Sequence, residues 1–383
     1  MLKWDEKSRK VMMMSNKLTK AQSLAIEYIT NSAKARKAEA QQIIEEVLYM
    51  SDTARARFNE ASRQIYAHAK VALHFHPDRP ITATKTVADD LLAEGIYKNQ
   101  FQTRISNGGL TAYPGGARDE WEKAIFGGAY HQASTAASER PKYGALELLG
   151  SYDGPAPRFG SCYVVLHSAV SKRCTFTYLD SSQNPKEKGT FAEFDDVLAA
   201  LWKDVFFHNE ALGRKELTPE LLLEQLTNHL PLSRAAWLNG KPSRNLDYYI
   251  EAQVHGDIVL QDDAEALVAD PSFQGTATGQ VLEQLCSKYG LDLYWHRGLE
   301  LHVDEVPSNF RGPAMPELAK RVAQSGKINA HCIGLAAASL MQSPELWKEY
   351  GSYEQVVQQL KYMWHILVRF GEPKDTIFEV EIE

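Results

Sequence analysis

Residues 249–255, Tyr-Ile-Glu-Ala-Gln-Val-His, alternate strictly between polar and apolar side chains. In an extended chain successive side chains point to opposite faces, so Ile250, Ala252 and Val254 share one face and Tyr249, Glu251, Gln253 and His255 the other. A helix would scatter both sets around its axis, so the stretch predicts a β-strand. A phenol, a carboxylate, an amide and an imidazole in one row are costly to bury unpaired, and their face is expected to look into a polar cleft. A half-exposed edge strand is the plainer reading of the same pattern.

Outward from this stretch the chain reads as α+β. Strands are expected at residues 143–149, 161–167 and 174–179, separated by the turn chemistry of Asp153-Gly-Pro-Ala-Pro and Ser181-Ser-Gln-Asn-Pro. A helix follows over 194–205, and Thr218 ahead of Pro219 caps another. Beyond Gly256 the sequence predicts an acidic loop, a helix over 279–289 closed by Gly290, a strand pair near 291–295 and 300–303, and helices to the C-terminus. Sheet and helices interleave too irregularly for a repeating βαβ array. Residues 18–72 contain no Gly or Pro and predict a helical arm, with Ser51 capping its second helix and Pro77 as the latest end.

Of the 383 residues, 44% are hydrophobic, enough for a globular core. The net charge of −7 argues against broad nucleic-acid binding, which needs a basic footprint. Residues 1–70 hold 13 Lys and Arg against 8 Asp and Glu, an asymmetry that marks the arm as a module, either a packing scaffold or a partner-binding surface. No apolar run approaches the roughly 20 residues of a membrane span, and the charged start lacks a secretory core. Cys162, Cys174, Cys286 and Cys332 are too far apart for a zinc knuckle or a redox pair and are read as buried free thiols.

Several chemistries are then weighed. His74-x-His76-x-Asp78 puts two imidazoles and a carboxylate at alternate positions, a weak pattern for a divalent metal and the basis of an alternative reading as a metal-dependent hydrolase. A second ligand cluster is missing, and a non-catalytic partner-binding protein is the other alternative. The glycine-rich stretch 105–116 lacks the P-loop and dinucleotide patterns, although its bare amides suit a phosphate. Gly160-Ser161-Cys162 lacks a His and Asp pair at the spacing of a nucleophilic hydrolase.

An Arg beside the first core strand (Arg140), a hydroxyl-bearing strand (Thr175 and Thr177) and a later strand presenting Glu251 resemble, in that order, the mono-ADP-ribosyltransferases. Phe75-His-Pro-Asp-Arg79, Ser106-Asn-Gly-Gly109, Phe126-Gly-Gly-Ala-Tyr130, Glu139 to Leu146, Arg158-Phe-Gly-Ser-Cys162 and Tyr249 to Gly256 extend the match. Together they resemble the CteC-type bacterial effector ADP-ribosyltransferases, once filed as a domain of unknown function, which modify threonine on ubiquitin. The resemblance spans roughly residues 71–316.

It implies an ADP-ribosyltransferase-like split β-sheet core over 73–316, a helical arm over 1–72 and a helical extension over 317–383 packed on that core. NAD is the implied co-substrate, ubiquitin the acceptor and the host cytoplasm the destination, reached through a bacterial injection system. Glu251 is implied as the carboxylate facing the nicotinamide ribose, with Tyr249, Gln253 and His255 shaping acceptor and ribose contacts. Arg140, Thr175, Thr177, Ser161, Asn107 and Arg104 are the implied cofactor contacts, with Arg118 as a further cation. His255, Glu251 and Asp78 are candidates for the base, with His76 as loop support. Tyr249 stands where better-known members carry a second Glu or Gln, which favours an uncharged hydroxyl over arginine as acceptor.

Overall fold

The alternating strand lies in the interior of a sheet. In the computed structural model, which describes residues 18–105, 111–132 and 135–373, eight strands form one mixed sheet. They are β1 (Lys70–Phe75), β2 (Lys142–Glu147), β3 (Cys162–Leu166), β4 (Cys174–Tyr178), β5 (Lys188–Gly189), β6 (Ile250–Val254), β7 (Ala264–Ala269) and β8 (Asp292–Trp295). The order across the sheet is β8-β7-β3-β1-β2-β6-β4-β5. Every pair is antiparallel except β7 with β8.

β6 therefore has a neighbour on each side, and all five of its residues are buried. This removes the edge-strand reading. Register puts Glu251 opposite Ala145 of β2 and Thr177 of β4, and Gln253 opposite Tyr143 and Thr175. Residues paired across an antiparallel ladder share a face, so both threonines stand beside the polar row of β6.

The helical arm forms as its composition dictates. Helix α1 (Lys20–Met50) opens on a capping box between Thr19 and Gln22, and α2 (Arg55–His68) follows. Ala21, Ala25, Ile29, Ala33, Ala40, Ile44 and Val47 are buried at spacings of one or two turns, a narrow apolar stripe that lets α1 lie close against the body. It packs on α4 (Asp195–His208), where Arg36 makes two 3.1 Å hydrogen bonds to Asp196 and Lys37 pairs with Glu193 at 3.0 Å. These two basic residues of the arm thus find acidic partners on the body. The Phe58 ring of α2 meets buried Trp202 of α4 edge-on at 5.3 Å. Burying one such ring is worth roughly 1.5–3 kcal/mol.

Three local expectations are corrected. Ser51 ends α1 as its C-cap, and Ala54 opens α2 without a side-chain cap. The second helix stops at His68, and Lys70–Phe75, expected to be helix and loop, forms a central strand. The stretch after Gly256, expected to be a loop, contains β7, and β7 rather than residues 300–303 pairs with β8. Leu301–His302 instead pairs with Lys327–Ile328.

Four longer helices complete the surroundings: α3 (Ala117–Ile125) beside the cleft, α5 (Ala277–Tyr289) ending at left-handed Gly290, α6 (Ala330–Gln342) and α7 (Tyr353–Phe370). Helix α7 is part of the body, because Trp364, 2% exposed, donates its indole N–H to Pro157 O at 2.7 Å. All four cysteines are buried and free. Among the described residues no helix is long and apolar enough to cross a membrane.

Candidate active site

A cleft of about 380 Å³, within the usual range of small-molecule sites, opens over the polar face of β6. Glu251 and Tyr249 form its floor with Tyr143 and Gly144 of β2. Arg118 and Trp121 of α3 form one wall, and Arg158, Asp180, Ser181 and Lys361 of α7 another.

Glu251 is 6% exposed. Its Oε1 accepts from Gln253 Nε2 at 2.9 Å and its Oε2 from the Ser181 backbone N–H at 3.5 Å. Burial pushes its pKa up from 4.5 to about 7 and the Asp180 carboxylate adds to this, against the opposing pull of Ser181, Gln253 and Arg118. Near neutral pH the group is therefore divided between acid and carboxylate.

Behind it runs a chain of hydrogen bonds whose direction can be deduced. Thr175 Oγ1 donates to Gln253 Oε1 at 2.8 Å, so it must accept from His255 Nε2 at 3.0 Å. His255 then carries its proton on Nε2, and Nδ1 accepts from Tyr130 O–H at 2.5 Å. Burial, followed by Arg173 and Lys142, pushes His255 down to about 3, which keeps it neutral as this tautomer requires. Every donor in the series Tyr130, His255, Thr175, Gln253 points toward Glu251. Such a series favours the charged carboxylate and holds it in one orientation.

Gln253, His255, Thr175 and Thr177 are fully buried and do not line the cleft. They were expected to touch acceptor, ribose or cofactor, and the structure places them one layer behind, as supports of Glu251. Thr177 accepts from Gln253 Nε2 at 3.2 Å and donates to Leu179 O at 2.9 Å. Tyr249 does line the cleft, with its hydroxyl donating to Asp180 Oδ2 at 2.8 Å. Asp180 also accepts from the Ser182 N–H at 2.8 Å, which fixes the turn that aims Ser181 N–H at Glu251.

Arg140 lies elsewhere. Its guanidinium donates to Glu122 at 2.8 Å, contacts Asp119 at 2.6 Å and covers the Phe101 ring at 4.4 Å, with 8% of the residue exposed. Glu122 in turn accepts from Tyr143 O–H at 2.8 Å, so Arg140 stiffens the wall without facing the cleft. On this side of the cleft Arg118 faces it instead, held between the rings of Trp121 and Tyr143 at 4.7 and 4.6 Å, with its buried Nε lacking a partner among the described residues.

Ser161, 3% exposed, lies outside the cleft, and its carbonyl accepts from His296 Nε2 at 3.0 Å. Arg104 is exposed in a left-handed turn between Thr103 and Ile105, which line the mouth. Asn107 lies outside the described residues.

The metal pattern does not converge. His74 uses both ring nitrogens on backbone, donating to Gly160 O at 3.2 Å and accepting from Ala156 N at 3.3 Å. Gly154, at φ +78°, passes so close that a Cβ there would lie 2.7 Å from the same ring. His76 lines the cleft edge-on to Trp364, pushed down to about 3 by burial, then by Arg79 and His74. Asp78 faces a separate cavity of about 70 Å³, its carboxyl lying over Gly334 where any Cβ would collide. Burial lifts Asp78 to about 8. Among the described residues no group of three His, Cys, Asp or Glu side chains is placed to hold a metal ion.

Lys361, Asp180 and Ser181 escaped sequence reasoning. Asp180-Ser181 sits in a turn that looked only connective, and Lys361 lies on a helix that reads as ordinary and amphipathic.

Fold and site together define an α+β protein with a buried carboxylate presented to a cleft walled by aromatic rings and cations. A family described as "Protein of unknown function (DUF3626)" matches residues 70–370, and the chain belongs to it. No curated protein matches the chain.

Proposed function

We propose that this protein is an NAD-consuming mono-ADP-ribosyltransferase that modifies a threonine hydroxyl of ubiquitin, acting as a bacterial effector in a host cell. An ADP-ribosyltransferase-like arrangement of the sheet is part of the proposal. The observation that carries it is Glu251, fixed by directed hydrogen bonds at the floor of a cleft lined by aromatic rings and cations.

The bond from ribose C1 to the nicotinamide nitrogen breaks, the bonding pair leaves with nicotinamide, and positive charge builds on the ribose. A fixed anion in a site poor in water stabilises that charge more than it stabilises NAD itself. The acceptor oxygen then bonds to C1 and loses its proton. Of the three candidate bases, Glu251 lines the cleft, while His255 is buried with both nitrogens engaged and Asp78 faces the smaller cavity. The rings of Trp121, Tyr143, Tyr249 and Phe159 offer flat surfaces to nicotinamide or adenine.

Incubation of the protein with labelled NAD and ubiquitin, followed by intact-mass measurement, tests cofactor, chemistry and acceptor together. The expected product is ubiquitin heavier by one ADP-ribose, with nicotinamide released. Absence of nicotinamide release with or without ubiquitin rejects the reading.

The reaction also has an expected pH profile. With Glu251 at about 7, kcat/KM should be level above that pH and fall roughly tenfold per unit below it. Stability runs the other way. A carboxyl whose folded pKa is raised contributes stability that is full at low pH and is lost as pH rises through about 7. A rate independent of pH between 5.5 and 8.5 would separate Glu251 from the chemistry.

A further inference from the structure

Lys361 is a half-buried ammonium that lines both the large cleft and the small cavity behind it. Its ammonium makes no hydrogen bond or ion pair with any described residue. The charged groups facing it are Arg158, Arg311 and Arg79, all repulsive, with Asp180 as the opposing carboxylate. Arg158 and Arg79 line the same cleft. Arg158 is anchored by Leu246 O at 2.9 Å and by the half-exposed Asp247 at 2.5 Å, and its buried Nε has no partner among the described residues. One turn beyond Lys361, His365 is 1% exposed with neither ring nitrogen bonded among the described residues, and burial, followed by Arg311, Arg158 and Lys361, keeps it neutral.

Placing the Arg158 guanidinium beside a partly desolvated lysine is unfavourable unless something negative joins them. Burial, with Arg158, Arg311 and Arg79 adding to it, already pushes Lys361 down to about 8. The fold holds this arrangement rigidly, because α7 is fastened by Trp364 to the turn that carries Arg158. Asp180 lies within electrostatic reach of both Lys361 and Glu251, so the cluster and the catalytic carboxylate flank it in one cleft.

We propose that Lys361 and Arg158 form a subsite for a diphosphate group, with α7 supplying the cation that completes it. Naming that diphosphate as the bridge of NAD rests on the transferase reading; the anion site itself does not.

The test uses the full chain with Lys361→Met and Lys361→Arg, titrated calorimetrically with inorganic pyrophosphate and with ADP-ribose at pH 7. Methionine keeps the length and apolar packing of the stem, and a melting curve checks that the fold is retained. Wild type should bind both probes, Lys361→Met should bind each at least about tenfold more weakly, and Lys361→Arg should recover most of the loss. Wild type that binds neither probe, or Lys361→Met that binds both as wild type does, overturns the subsite. Lys361-dependent pyrophosphate binding without nicotinamide release would leave the subsite standing and reject the transferase. Nicotinamide release with an unchanged KM for NAD in Lys361→Met would do the reverse.

Discussion

Glu251→Gln is expected to lower kcat for nicotinamide release by about 10²–10³-fold while the protein stays folded. The substitution keeps the shape and leaves an oxygen able to accept the N–H of Gln253, so the row behind it stays in place. What it removes is the charge, and a neutral amide does not stabilise a ribose cation as a carboxylate does. At pH 8 the variant should melt no lower than wild type, because folding no longer carries a buried anion whose pKa sits at about 7. Turnover at the native rate would show that another group faces the developing charge.

The second large effect falls on stability. Arg140→Met leaves buried Glu122 without its cation and Asp119 with only His131 and the Gly115 N–H, and stranding a buried ionic partner costs about 3–5 kcal/mol. The denaturation midpoint should fall accordingly. Glu122 is already pushed up by burial and held in check first by Arg140, so it will take up a proton in the variant and recover part of the loss. Adding Glu122→Gln should therefore restore part of the midpoint, the non-additivity of groups in contact. If Arg140→Met is instead as stable as wild type and raises the KM for NAD, Arg140 holds the cofactor and the cleft wall is drawn in the wrong place.

These two residues show how far the sequence could be read. Glu251 was legible because a strand with one polar face announces itself by alternation, and the register then brings Thr175 and Thr177 to its side. Its neighbours Gln253 and His255 carry the same signal but sit deeper, and alternation cannot say how far along a strand the cleft extends. Arg140 was drawn to the cofactor by its place beside the first strand of the motif. The acidic residues that claim it lie on a helix about twenty positions earlier, and only folding brings them together.

Strands β1 and β7 were missed for a related reason. Lys-Val-Ala-Leu-His-Phe follows a helix with no Gly or Pro between, and Ala-Glu-Ala-Leu-Val-Ala reads as readily as helix. Both lie inside the sheet with a strand on each side, where burial on two faces erases the polar beat that marks a half-solvated strand. The C-terminal helices were expected as an extension packed on the core, but nothing in their sequence showed that Lys361 would share a cleft with Glu251.

That sharing sets an order of events. His76 and Arg79 are synthesised early, Glu251 in the middle and Lys361 nearly three hundred residues after His76, yet one hollow needs them all. A ribosome-bound intermediate lacking α7 would have its floor and most of both walls but no Lys361, so the pocket is born complete only when its final helix clicks home.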